Sequence, residues 1–325
     1  MHALEKREPQ EAAMVAEMID ILRQKMQSDY PVGATLRDAH PKTTGVLRGK
    51  FVVEAGLPDR LRVGVFANPV TFDCWIRTSN SSNKPQSDAI PDARGLAIKL
   101  LAARGKKAAT GDVGQDFVLL STPSMPLGTV ALFRDAIFYT IRSSPLLLAA
   151  KFVLTGHAGV LLGLLALRIT PASPLDIRYW STTPYRFGSR AVVKYSLLPT
   201  SARISAKPAD AGEDHLAEAM QAHLSEREAS FDFCVQLRTG DMPVEDAAVR
   251  WDEAVSPFVK VATLRIPVQS FRTARRQATG EQLAFSPGHA LAAHAPLGGL
   301  NRARIKIYAA LAKFRLRRDR RIQAG

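Results

Sequence analysis

Arg304, Tyr308 and Arg315 stand near the end of the chain at spacings of i, i+4 and i+11, which brings them onto one face of an α-helix. An arginine one turn before a tyrosine can hydrogen-bond the phenol oxygen and favour its ionised form, and a phenolate is a hard anionic ligand for a metal ion. The same spacing equally fits a half-buried tyrosine that packs in a core while its arginines stay in solvent. Spacing alone leaves both readings open.

Far upstream, Arg37-Asp38-Ala39-His40-Pro41-Lys42 sets an arginine three residues before an imidazole, the side chain best suited to proton transfer near neutral pH. Ile76-Arg77-Thr78-Ser79 and Asp92-Ala93-Arg94-Gly95-Leu96-Ala97-Ile98-Lys99 follow, then Asp116 to Pro123 and Ala131-Leu132-Phe133-Arg134-Asp135. Judged singly, His40 is an ordinary polar residue and Ser79 a strand-face hydroxyl.

Taken in order, these segments resemble the catalases. Arg37, His40, Pro41 and Lys42 are similar to the family's distal segment, Ile76 to Ser79 to its V-R-F-S, and Asp92 to Lys99 to its D-P-R-G-F-A-V-K. Asp116 to Pro123 resembles D-L-V-G-N-N-T-P, Ala131 to Asp135 resembles F-F-I-R-D, and Arg304 to Tyr308 has the R-x-x-x-Y of the proximal ligand. The stretches 176–195 and 285–308 look like those of a shorter bacterial catalase-like branch.

The resemblance implies haem b as cofactor, with Tyr308 as the axial iron ligand and Arg304 keeping it ionised. It implies His40 as the distal acid–base group, oriented by Ser79, and Arg37, Arg77 and Arg315 as partners of the two propionates, where guanidinium geometry suits carboxylates. The implied reaction is consumption of peroxide, of catalase or peroxidase type, in a chain that forms homo-oligomers. Two departures bear on it. Ser121 aligns with the family's distal Asn but has a shorter reach, and Ser124 to Gly128 is inserted beside it. The resemblance also stops short of the C-terminal helical domain of large catalases, which implies a more open haem channel. Both favour organic donors or bulkier hydroperoxides, including fatty acid hydroperoxides as in the related allene oxide synthases. A rival reading is a haem carrier or sensor without catalysis, although such a protein needs no distal acid–base pair.

The elements that must position these residues fit one α+β domain over 1–325, a catalase-like antiparallel barrel of about eight strands with helical insertions and a C-terminal haem-ligand helix. Met14, Met18, Ile21 and Leu22 share one face of a helix within 1–30. Short apolar or alternating stretches at 51–53, 61–66, 72–78, 96–100, 117–120, 191–198, 231–238 and 262–268 read as strands. They flank a helical region from Phe133 to Arg168, so the chain does not split into an all-β and an all-α half. Asn301, after Gly298-Gly299, reads as the N-cap of the last helix.

The 325 residues carry 44 Lys and Arg against 30 Asp and Glu, a net charge of +14, so some anion needs explaining. Six of the nine residues from Lys313 to Arg321 are basic, which reads as a solvated tail over 313–325. No motif for nucleic-acid recognition accompanies the charge, and no nucleic-acid partner is expected. Leu146 to Leu167, within an apolar insertion over 140–170, is long enough to span a bilayer. Lys151, His157 and the Thr155–Gly159 break instead predict two short buried or interfacial helices, with peripheral membrane contact as an option. Cys74 and Cys234 lie in strand-like stretches without a second ligand nearby and read as reduced core thiols. The N-terminal residues have no apolar core of a secretory signal, which predicts a cytoplasmic protein.

Overall fold

The computed structural model describes residues 5–108, 114–201, 205 and 211–323. Nine strands form one antiparallel sheet: β1 (Thr43–Val53), β2 (Thr71–Asn80), β3 (Arg94–Leu100), β4 (Gln115–Leu120), β5 (Tyr179–Trp180), β6 (Tyr185–Phe187), β7 (Ala191–Pro199), β8 (Ala229–Leu237) and β9 (Val259–Ile266). The order β5-β4-β3-β2-β1-β9-β8-β7 closes through the β5–β7 pairing into an eight-stranded barrel, and β6 extends it along the far half of β7. Closure leaves no long unpaired edge. Phe51, Phe66, Phe117, Tyr195 and Phe233 meet inside, with ring centroids 4.6 to 6.4 Å apart. The barrel is therefore a packed core along much of its length.

Among the described residues seven α-helices accompany it: α1 (Glu11–Asp29), α2 (Val130–Arg142), α3 (Pro145–Leu154), α4 (Ala158–Ala166), α5 (His215–Glu226), α6 (Ala274–Gln282) and α7 (Gly299–Gln323). Val15, Met18 and Leu22 of α1, Val130 of α2, and Ala303 and Ile307 of α7 form a second apolar cluster. Contacts tie both ends of α1 and α7 in parallel. Arg302 reaches Glu11 at the start, and Arg318 reaches the carbonyls of Gln27 and Tyr30 at the finish.

The α+β barrel matches the sequence reading, with four corrections. Residues 61–66 form no strand: two 3-10 turns, Asp59–Leu61 and Gly64–Phe66, bury Leu61, Val65 and Phe66 without a pairing partner. Asn301 is no cap, because α7 begins two residues earlier; its fully buried amide instead bonds the carbonyls of Pro184 and Leu297. The basic segment from Lys313 is not a free tail, since α7 runs through it to Gln323 and buries Arg315. Finally, β5, β6, α5 and α6 carry no counterpart in the sequence reading. The apolar insertion does break at Gly156, whose φ is +76°, into two short helices, and no helix among the described residues is long and apolar enough to cross a membrane. Cys74 and Cys234 are free and buried, and burial pushes their thiols up to about 12 and about 11.

Candidate functional site

The loop from Tyr30 to Lys42 enters β1 with His40 at its end, in a left-handed conformation at φ +58°. A non-glycine residue in that region is strained and persists only where its surroundings hold it. Three contacts hold His40. Its carbonyl accepts a 2.6 Å bond from the Arg77 guanidinium, and its Nδ1 lies 3.0 Å from the Ser79 hydroxyl. Its ring also lies on Gly95, where a Cβ would stand 2.8 Å from Nδ1 and 2.9 Å from Ser79 Oγ. Only glycine allows that approach. Arg77 and Ser79 are two apart on β2, so they share one face of the strand, and Gly95 pairs directly with Ser79 on β3.

Burial and the nearby Arg77 charge hold the His40 imidazole down to about 4. It is therefore a neutral base across the physiological range. Ser121, just past β4, accepts a 2.9 Å bond from the Arg94 N–H, one residue before Gly95. It stands at the border of the His40 wall.

Arg37, Arg77 and Arg315 gather from the entry loop, β2 and α7. Arg37 donates to Glu281 at 2.8 Å and to the carbonyls of Gly280 and Leu283, and Arg315 reaches the same Glu281 carboxylate at 3.3 Å. Arg77 bonds Thr43 as well as the His40 carbonyl. Among the described residues, Glu281 is the only carboxylate in ion-pair contact with the trio. Burial first, then repulsion from Arg37, lowers Arg77 to about 9 and Arg315 to about 10. Two guanidiniums thus share one half-exposed carboxylate with a third beside them, a set short of anions.

Arg304 and Tyr308 face the same region from α7. The Arg304 guanidinium lies over the Tyr308 ring, 5.6 Å from its centroid, and donates to Thr183 and Asn301 at 3.4 and 3.3 Å. Hydrogen bonding to the Tyr308 and Tyr185 phenols also supports its charge, as the i, i+4 spacing of Arg304 and Tyr308 suggested. Although burial opposes its charge, the flanking phenols of Tyr308 and Tyr185 raise its pKa. Arg304 is close enough to weigh on the titration of His40, and Tyr308 on that of Arg77. The structure thus brings His40, Ser79, Arg77, Arg37, Arg315, Arg304 and Tyr308 into one neighbourhood, with Ser121 at its edge.

Sequence reasoning missed two participants. Glu281, on α6, has no sequence signal, because its role arises only from contacts with Arg37 and Arg315. Tyr185 is fully buried beside Arg304, whose pKa it helps to raise; its place before Arg186 in a three-residue strand gives no cue to that.

No family model matches the chain, and no curated protein matches it in sequence. Solved structures do. A fungal catalase superposes with a TM-score of 0.73 at 18% identity, covering 92% of this chain and 62% of that one. Catalase A from Saccharomyces cerevisiae gives 0.73 and 18%, covering 92% and 64%. A bacterial catalase gives 0.67 and 16%, covering 93% and 60%. The chain has the catalase fold, and it spans less than two thirds of the length of these catalases.

Proposed function

We propose that the chain binds haem b between His40 and Tyr308 and consumes peroxides with it, the whole of 1–325 acting as one haem-binding unit. The observation that carries this reading is the anion deficit: Arg37, Arg77 and Arg315 converge beside a His–Ser pair with a single carboxylate among them. The residues fit the group. Glu281 stands in for a carboxylate ligand, and two propionates would supply the anions that two buried guanidiniums and the part-buried Arg37 lack. Tyr308 would hold the iron through its phenol oxygen, an anionic donor beside the Arg304 charge.

Bound haem supplies the iron at which the O–O bond of a peroxide is broken. The protein's own part is proton movement and positioning. With Nδ1–H donated to Ser79 Oγ, the second ring nitrogen of His40 would take the proton from one peroxide oxygen and return it to the other. The strained backbone and the Gly95 contact fix the ring for that task, which a mere carrier has no use for. Ser121, shorter than an amide and engaged by the Arg94 N–H, would leave more room over the site than an asparagine. That favours oxidation of organic donors and bulkier hydroperoxides over rapid dismutation of hydrogen peroxide.

The absorption spectrum of haem-loaded protein tests the reading. Wild type is expected to show a tyrosinate-ligated ferric spectrum, and Tyr308→Phe to lose it together with most of its haem. Wild type that takes up no haem, or a variant with an unchanged spectrum, overturns the proposal.

A further inference from the structure

Helices α3 and α4 form a hairpin in which every side chain but that of Lys151 is apolar. Its inner face is accounted for: Leu148 and Phe152 of α3 pack against Leu127 with Leu132, Phe133, Val160 and Leu161 around them. Its outer face is not. Leu146 and Leu154 are 81% and 86% exposed, Leu162 is 71% exposed, and Leu147, Val153 and Leu165 are also largely bare. In α3, residues 146, 147, 153 and 154 fall on one face, and residues 162 and 165 do so in α4. A helix that is hydrophobic all round belongs in an apolar medium, and a contiguous bare patch marks an interaction surface.

Charge says which surface. From Ala136 to Leu175 the sequence contains no Asp or Glu, yet it holds Arg142, Lys151, Arg168 and His157. Arg142 and Arg168 are exposed at the two outer ends of the hairpin and His157 at its turn, while Lys151 is neutralised by Asp135 at 2.7 Å. Leucines flanked by unopposed cations suit a bilayer with anionic headgroups, where the apolar face enters and the basic stems reach up to phosphate. A second copy of the same face would set like charges against each other.

We infer that the α3–α4 hairpin docks the protein on the surface of an anionic membrane, lying flat in the interface rather than crossing it. The turn supports that placement, since Gly156 and Gly159 have nothing near their outward sides. The inference stands independently of the haem reading.

Flotation of the full chain with vesicles tests it, comparing phosphatidylcholine alone with a mixture containing one third phosphatidylglycerol. Wild type is expected to float with the anionic vesicles at least about tenfold more strongly than with the neutral ones. The triple variant Leu146→Ser, Leu154→Ser, Leu162→Ser, whose positions are exposed and not needed for packing, is expected to stay at the bottom of the gradient. Arg142→Gln with Arg168→Gln is expected to bind several-fold less. If wild type fails to float, the inference is wrong. It is also overturned if the leucine variant floats as well as wild type, since binding would then rest on charge elsewhere. A wild-type dimer that the leucine variant turns into a monomer overturns it too, since a second copy would then be the occupant.

Discussion

The two ends of α7 carry arginine clusters of opposite character. At the N-terminal end a single guanidinium, Arg302, is held by three carboxylates, Glu5 and Glu11 at 2.7 Å and Glu245 at 3.0 Å, and its pKa is raised chiefly by the Glu11 hydrogen bond. Thirteen residues later, Arg315 shares one carboxylate with Arg37 and sits beside Arg77, and two of these arginines are pushed down instead. The first cluster is saturated and complete in itself. In the second, two guanidiniums contact one carboxylate, and Asp319 weighs on Arg315 only through space. An excess of buried like charge costs stability, a cost that the proposed haem propionates would offset.

The most direct way to break that comparison is Arg37→Met with Arg315→Met. Each charge-assisted contact with a carboxylate contributes about 2 kcal/mol, so losing two should weaken haem binding about a thousandfold. Haem titration followed by absorbance gives the affinity, and thermal unfolding of the haem-free protein gives the stability. The affinity should fall far more than the stability. Unfolding with no loss of affinity would mean that the cluster is structural after all.

A second pair sharpens the distinction. His40 and His294 are both held down to about 4 by burial, yet His294 is sealed in the core between Phe66, Phe187 and Tyr195, where it accepts a 3.1 Å bond from the Val65 N–H. Below its ordinary value of 6.5 the unfolded chain takes up protons that the native imidazoles refuse. Stability is therefore complete above about pH 6.5 and drains away as the pH falls toward 4, by about 3 kcal/mol for each histidine. His294→Gln and His40→Gln should each remove about half of that slope in pH-dependent unfolding. Only His40→Gln should also abolish peroxide turnover, whose acid limb in wild type should lie near pH 4. An acid limb near 6.5 would show that His40 titrates in the open.

Arg302→Met gives the reciprocal result. Stranding three carboxylates around a mostly buried position should cost about 2 kcal/mol, seen as a fall of several degrees in Tm, while haem affinity and peroxide turnover stay at the wild-type level.

Legibility in the sequence followed the range of the signal. The face shared by Arg304, Tyr308 and Arg315 is periodic, and the i, i+2 spacing of Arg77 and Ser79 places both on one side of a strand, so local geometry already groups them. The apolar run 61–66 misleads because strand-like composition does not guarantee a partner strand, and here none is adjacent. Strands β5 and β6, at two and three residues, are too short for alternation to register. In α5, Leu216, Met220 and Leu224 do have helical spacing, whereas α6 is polar throughout. Glu281 is illegible for a different reason: its ion pair with Arg37 spans 244 residues, and no local pattern encodes a contact made only by closing the fold.

The smallest expected effect concerns the edge of the site rather than its charge. Ser121 accepts from the Arg94 N–H at 2.9 Å, one residue before the Gly95 on which the His40 ring lies. An asparagine there carries an amide donor about one bond further out, so Ser121→Asn should bring a second hydrogen-bond donor over the position a small peroxide would take. One neutral hydrogen bond contributes about 1 kcal/mol, which corresponds to a rise of about fivefold in kcat/KM for hydrogen peroxide. Bulkier hydroperoxides should lose rate by crowding. Haem affinity should not change, because the arginine cluster is untouched. Equal changes for small and large peroxides would mean that Ser121 only supports the β3–β4 corner and does not shape the substrate face.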